Sequence, residues 1–180
     1  MYFEATPLDD VWLIRADLHE DERGGFARTF DADAFAARGL AAAFPQCSLS
    51  WNRRRGTLRG MHYQVVPHEE AKLVRCTAGR VWDVALDLRP GSPSFGAHFG
   101  VELSATNRCA LYVPQGCAHG FLTLADDSEL LYQISAPHSP QAARGVRYDD
   151  PRFAIQWPEP VRVIKARDAG YADFSPADAS

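Results

Sequence analysis

In Leu58-Arg59-Gly60-Met61-His62-Tyr63-Gln64 an arginine and a histidine lie three residues apart. A guanidinium holds an anion bidentately, and an imidazole changes charge near neutral pH and moves protons. The pair predicts an anionic substrate and acid/base chemistry. Pro114-Gln115-Gly116-Cys117-Ala118-His119-Gly120-Phe121 sets a second imidazole, His119, just past a Pro-x-Gly turn and between two apolar runs. Lys72, Tyr132 and Asp168 are singly unremarkable: a lysine in a strand is commonly solvated, a tyrosine in an apolar run is commonly core, and a late aspartate commonly lies on the surface. His62 alone is a buried core histidine about as often as a base. Only a fold that gathers these groups gives them chemistry. The run Arg53-Arg54-Arg55 is read as a solvated loop, since three adjacent arginines cannot all face one pocket.

The elements that must position these residues are strands. From Lys72 onward, runs rich in valine, leucine and aromatics at 72–76, 80–88, 99–103, 110–113, 120–124 and 129–134 alternate with breaks such as Ala78-Gly79, Ala105-Thr106-Asn107 and Asp126-Asp127-Ser128. Turns recurring every 8 to 12 residues or so predict an all-β sandwich or barrel, and no βαβ alternation appears. In Val81-Trp82-Asp83-Val84-Ala85-Leu86-Asp87-Leu88, one face carries Trp82, Val84, Leu86 and Leu88 and the other Asp83 and Asp87. Asp83 therefore faces either solvent or a polar cavity inside the barrel. One short peripheral helix is expected over 31–40, capped by Asp31 or Asp33, with Ala32, Phe35 and Ala36 on one face and Gly39 as its stop. No repeat or linker divides the chain, so one domain is expected over 1–180, with a tail from about 150 wrapping the barrel and its last few residues frayed.

The 180 residues, 46% hydrophobic and 11% aromatic, suffice for one sizeable core. With 19 Lys+Arg against 23 Asp+Glu the net charge is -4, so no global basic field recruits nucleic acid or an anionic membrane. A small anion needs only a local basic pocket. The first residues lack a basic region followed by an apolar run, and no stretch is long and apolar enough to span a bilayer, so a cytoplasmic location is expected. Cys47, Cys76, Cys109 and Cys117 show no Cys-x-x-Cys spacing and are read as reduced thiols.

The Pro-x-Gly-x-x-His segment resembles the second motif of cupin jelly rolls, in which the histidine points into the barrel. Cupin metal sites also need a His-x-His with a downstream glutamate, and around His62 there is one histidine. No metal and no cofactor are therefore expected. Further motifs follow in order: Asp21-Glu22-Arg23-Gly24, the segment around His62, Lys72-Leu73-Val74, Val81-Trp82-Asp83-Val84, Ser92-Pro93-Ser94-Phe95-Gly96, Asp150-Pro151, Trp157-Pro158 and Asp168. Together they resemble the dTDP-4-dehydrorhamnose 3,5-epimerases over nearly the whole chain. The resemblance implies a cupin-type jelly-roll barrel with a few short peripheral helices. It also implies proton removal at sugar carbons 3 and 5, next to the carbon 4 ketone, and proton return on the opposite face. On that resemblance His62 is the base, Asp168 the carboxylate orienting it, Lys72 the cation at the carbon 4 oxygen and Tyr132 the acid. His119 is a substrate-contacting imidazole, and Arg23 and Arg59 hold the substrate.

The nucleotide side departs from the family pattern. Arg28 falls where a glutamate is expected, His138 where a tyrosine stacks on thymine, and Ala143 where a second glutamate lies. Gln46-Cys47-Ser48 replaces Gln-x-Asn, and Arg167 replaces a lysine. The expected substrate is thus a nucleotide-linked 4-keto-6-deoxyhexose whose nucleotide, dTDP, CDP, UDP or GDP, these positions leave open. A mono-epimerase, a metal-dependent cupin enzyme and a non-catalytic sugar-nucleotide binder are the alternatives. The resemblance further implies a homodimer with strand exchange, for which 11–18 is the candidate strand because Trp12 and Ile14 could cover one face of a partner sheet.

Overall fold

In the computed structural model of the chain, which describes residues 1–175, two antiparallel sheets pack face to face. The elements in order are β1 (Tyr2–Ala5), β2 (Trp12–Arg15), β3 (His19–Asp21), β4 (Gly24–Phe26), α1 (Ala32–Ala36), β5 (Gln46–Asn52), β6 (Thr57–Gln64), β7 (Lys72–Ala78), β8 (Arg80–Asp87), β9 (His98–Ser104), β10 (Ala110–Val113), β11 (Cys117–Thr123), β12 (Ser128–Ile134), β13 (Ala143–Gly145), β14 (Val163–Ile164) and α2 (Ala166–Ala169). One sheet runs β1-β2-β10-β7-β12-β5 and the other β13-β6-β11-β8-β9. β14 joins β6 in parallel, and β3 and β4 form a separate hairpin. This is a cupin-like jelly roll with two short helices, as expected.

Alternation along the strands builds three apolar clusters. Between the sheets, Val74, Cys76 and Leu130 meet Val81, Ala85, Leu103 and Phe121. The outer face of the sheet containing β6 and β8, including Val84, Leu86, Leu88 and Ala118, lies beneath Phe153, Ile155, Trp157 and Phe174 of the tail. Buried Asp150 pins that tail, accepting from the Phe174 backbone N–H at 2.7 Å. The more apolar face of β8 is therefore the outer one, and Asp83 points between the sheets. On the sheet containing β7, Ile14, Leu73, Ala110 and Tyr112 are covered by Phe35, Leu40 and neighbouring aromatics. Phe35 is 0% exposed, and such burial of a phenylalanine contributes about 2 kcal/mol.

Several expected boundaries move. The helix expected over 31–40 is only Ala32–Ala36: Asp31 caps it by accepting from Ala34 N–H at 3.1 Å, and the chain leaves through Gly39 at φ 70°. The strand expected at 120–124 starts at Cys117, immediately after Gly116 closes its turn at φ 75°, so His119 stands on a strand. Within 11–18 only Trp12–Arg15 is a strand, and it is paired on both sides inside its own sheet, to β1 and β10. It is not a strand left over for a neighbour. The final residues, 176–180, lie outside the described part, and no helix among the described residues is long and apolar enough to cross a membrane.

Candidate active site

In a regular strand, residues three apart point to opposite faces. Arg59 and His62 nevertheless line one cavity, because β6 is bulged: His119 pairs with His62 and Phe121 with Arg59, so the interval of three on β6 faces an interval of two on β11. Glycines permit it. Gly60 sits at φ 138° with its missing Cβ only 2.5 Å from Gly120 Cα, and a Cβ on Gly120 would meet Met61 Sδ at 2.6 Å. Two glycines facing each other across the strands thus turn the arginine and histidine toward one space.

That space is a cavity of about 540 Å³ between the ends of the two sheets. Its walls hold His62, Arg59 and His119 from the sheet containing β6 and Lys72, Tyr132 and Ser48 from the sheet containing β7, with His138 on a connecting segment and Arg167 on α2. These are eight of the twelve candidates. Asp168 stands behind His62, with Oδ1 3.0 Å from Nε2, and Gln46 stands behind His138, its Oε1 accepting from the His138 N–H at 3.1 Å. Arg23 and Arg28 are not brought here. Arg23 is solvent-exposed and paired with Asp21 on the β3–β4 hairpin, and Arg28 pairs with Asp31 at the start of α1. Within one chain both lie away from the cavity.

Electrostatics separate the groups. Burial lowers the His62 pKa below its ordinary value, more than Asp168 raises it, and the nearby Lys72 and Arg167 charges lower it further. The ring is therefore neutral at pH 7. For Asp168 burial works upward, but the hydrogen bond and charge of His62, and then Arg167 Nε donating at 3.0 Å, bring it below the usual carboxylate range. His62 Nε2 faces both Asp168 Oδ1 at 3.0 Å and Arg167 Nη2 at 3.2 Å; in the tautomer in which the ionised Asp168 accepts the Nε2 proton, Nδ1 is the basic nitrogen. Tyr132 is held well above 10, chiefly by burial and then by the Asp83 charge, with Arg59 opposing, so its hydroxyl keeps its proton.

Further side chains complete the site, of which the sequence offered only Asp83, as a residue facing either solvent or a barrel cavity. Asp83, fully buried, takes His119 Nε2 at 3.0 Å on each oxygen, and the His119 ring meets Tyr132 edge-on at 5.7 Å. Asn52 Oδ1 accepts from Arg59 Nε at 2.8 Å. Buried Gln64 fixes the segment carrying His138, accepting from Ser139 N–H at 2.6 Å and donating to the Pro137 carbonyl at 3.3 Å. Glu70 pairs with Lys72, and the Tyr171 ring stands 6.4 Å from His62, edge-on. The alternation in Val81-Trp82-Asp83-Val84 was the one signal for Asp83; Glu70 and Tyr171 occupy loops that show no periodicity. The Arg53-Arg54-Arg55 run is exposed, with Arg55 on Glu159 and Arg53 over Trp51. Among the described residues no group of three or more His, Cys, Asp or Glu is placed to hold a metal ion.

The comparisons agree with this geometry. The family model for dTDP-4-dehydrorhamnose 3,5-epimerase matches residues 5–175. The dTDP-4-dehydrorhamnose 3,5-epimerase of Sinorhizobium fredii is 41% identical over 159 residues, 88% of this chain and 82% of that one. The crystal structure of the Elizabethkingia anophelis dTDP-4-dehydrorhamnose 3,5-epimerase superposes with a TM-score of 0.94 at 37% identity, covering 97% of this chain and 96% of the other. That of ChmJ, a 3'-monoepimerase from Streptomyces bikiniensis in complex with dTDP-quinovose, superposes at 0.85 with 30% identity, covering 97% and 87%. With the barrel, the bulged strand and the paired imidazoles in place, the chain belongs to the dTDP-4-dehydrorhamnose 3,5-epimerase family, isomerases of nucleotide sugars.

Proposed function

We propose that the cavity takes a dTDP-linked 4-keto-6-deoxyhexose and inverts its carbons 3 and 5, with His62 as base and Tyr132 as acid. The observation that carries the reading is their placement on opposite sheets, His62 on β6 and Tyr132 on β12, so that a sugar ring between them meets a proton acceptor on one face and a donor on the other. His62 Nδ1 takes the proton from the carbon beside the ketone, and the bond's electrons move to the carbon 4 oxygen. Lys72 offsets the charge gathering there. Tyr132 then gives its proton to the other face, and His62 and Tyr132 return to their starting states by exchange with solvent; nothing is oxidised or reduced. Asp168 keeps the imidazole in the productive tautomer.

Arg59 and Arg167 suit the diphosphate, being planar donors at the cavity wall. Ser48 and His138, with Gln46 behind, lie toward the nucleoside, and the relatives' dTDP-linked substrates favour dTDP despite the changed residues there. Arg23 and Arg28 join the site only from a second copy. β5 offers the place: it is an edge strand beside the cavity with Leu49 and Trp51 exposed, and the β3–β4 hairpin exposes Phe26. We therefore read the enzyme as a homodimer of one-domain chains, 1–180, in which the hairpin, rather than β2, reaches the neighbour. Four unpaired cysteines fit a reducing cytoplasm. A monomeric mass by sedimentation would remove the dimer.

Incubation in deuterated water with dTDP-, CDP-, UDP- and GDP-linked 4-keto-6-deoxyhexoses tests the function. Deuterium at carbons 3 and 5 with a preference for dTDP is expected. Exchange at one carbon only would make the enzyme a mono-epimerase, as ChmJ is named, and no exchange with any of the four would overturn the reading.

A further inference from the structure

Lys72 is not a lone cation. Its ammonium lies 3.0 Å from Glu70 Oε1 and donates to the His62 carbonyl oxygen at 3.0 Å. Both side chains are about nine-tenths buried, and both line the cavity. The backbone beside Glu70 is fixed as well: Ala71 N–H donates to Ser135 Oγ at 2.8 Å, and Ser135 N–H donates to the Ala71 carbonyl at 3.0 Å. The carboxylate is therefore held at the end of β12 as firmly as the lysine is held on β7.

An ammonium has three donors. The His62 carbonyl takes one, the Glu70 carboxylate lies 3.0 Å away as its ion pair, and donor capacity remains for whatever fills the cavity. A lysine stem is long and flexible, so without these partners its charge would be spread over several positions. We infer that Glu70 is a positioning residue for the reaction: it fixes the Lys72 ammonium so that a remaining N–H meets the sugar oxygen that gains charge. This inference rests on the proposed epimerase reading. A fixed donor is worth more than a mobile one, because nothing has to be reorganised as the charge develops.

Glu70 also supplies the nearest negative charge to Lys72. The other charged or titratable groups at the cavity are His62, Arg59 and Tyr63 on β6, Tyr132 on β12, His119 on β11 with Asp83 on β8, Arg144 on β13, Arg167 with Asp168 on α2, and His138 and Tyr171 on loops. Asp83 and Asp168 are each committed to an imidazole. Without Glu70, the ammonium would share the cavity with three arginines, Arg59, Arg144 and Arg167, and no carboxylate of its own.

The test is kcat and KM, read by deuterium incorporation, for the wild type, Glu70→Ala, Glu70→Gln, Lys72→Ala and the Glu70→Ala/Lys72→Ala pair. Glu70→Ala should lower kcat about tenfold with KM nearly unchanged, a fraction of what losing a transition-state donor outright costs. Glu70→Gln, which keeps an oxygen beside the ammonium, should recover most of kcat. In the Lys72→Ala background, Glu70→Ala should cost nothing further. Full additivity of the two, or an unchanged kcat in Glu70→Ala, would overturn the role. If Glu70→Ala does not fold, Glu70→Asp, which withdraws the carboxylate by one methylene, decides by the same fall in kcat at unchanged KM. A wild type without exchange would instead overturn the epimerase reading itself.

Discussion

The cavity contains two histidine–aspartate pairs of the same chemistry and different construction. In His119–Asp83 both partners stand on adjacent strands of one sheet, β11 and β8, and their side chains are 4% and 0% exposed. In His62–Asp168 the imidazole is 34% exposed and its carboxylate comes from the tail, 106 residues further on, on the four-residue helix α2. The sealed pair is the more tightly held: Asp83 uses both oxygens on one ring and adds its charge beside Tyr132. Both imidazoles line the cavity, so exposure is what separates them: the half-open ring suits a base and the buried one a fixed wall.

Substitutions at the two pairs should therefore fail in different ways. His62→Asn should lower kcat by about 10³-fold, within the range for removing a general base, with little change in Tm. Equal losses of activity and stability would erase the distinction. His119→Ala should do the reverse: a fully buried Asp83 left unpaired costs about 3 kcal/mol, read as a fall in the denaturation midpoint larger than that of His62→Ala. Asp168→Asn should lower kcat about a hundredfold, since the carboxylate beside His62 orients the imidazole and raises its basicity. Because burial already depresses the His62 pKa and Asp168 is what raises it, activity should fall only as pH drops below 6.5, the ordinary histidine value, and the acid limb should move lower still in Asp168→Asn. The smallest effect is expected at Gly145, whose added Cβ would lie 2.2 Å from the Tyr171 ring beside His62. Gly145→Ala should cost a few-fold in kcat, as expected for a small misplacement near the base, and Tyr171→Ala should relieve it.

What could be read beforehand divides along the same line. The barrel was legible because strand alternation and turn residues are local, and β10 was read with its observed bounds, Ala110–Val113. His62, His119, Lys72 and Tyr132 were legible because they sit in ordered motifs on strands. The shared face of Arg59 and His62 was not, since a bulge depends on how Gly60 meets Gly120 on another strand. Asp83 was left between solvent and a barrel cavity, because alternation gives a residue's face and not what covers it, and Glu70 and Tyr171 were missed because they sit in aperiodic loops. Arg23 and Arg28 are a different case, since resemblance placed them at the site while within their own chain they pair with Asp21 and Asp31 away from the cavity.

The base assignment is tested most directly by deuterium incorporation into a dTDP-linked 4-keto-6-deoxyhexose in His62→Asn beside His119→Asn, each at a temperature where its fold is intact. Exchange should vanish in His62→Asn at both carbons and persist, slowed, in His119→Asn. Exchange at the wild-type rate in His62→Asn, or its complete loss only in His119→Asn, would contradict the assignment of the open pair as the base.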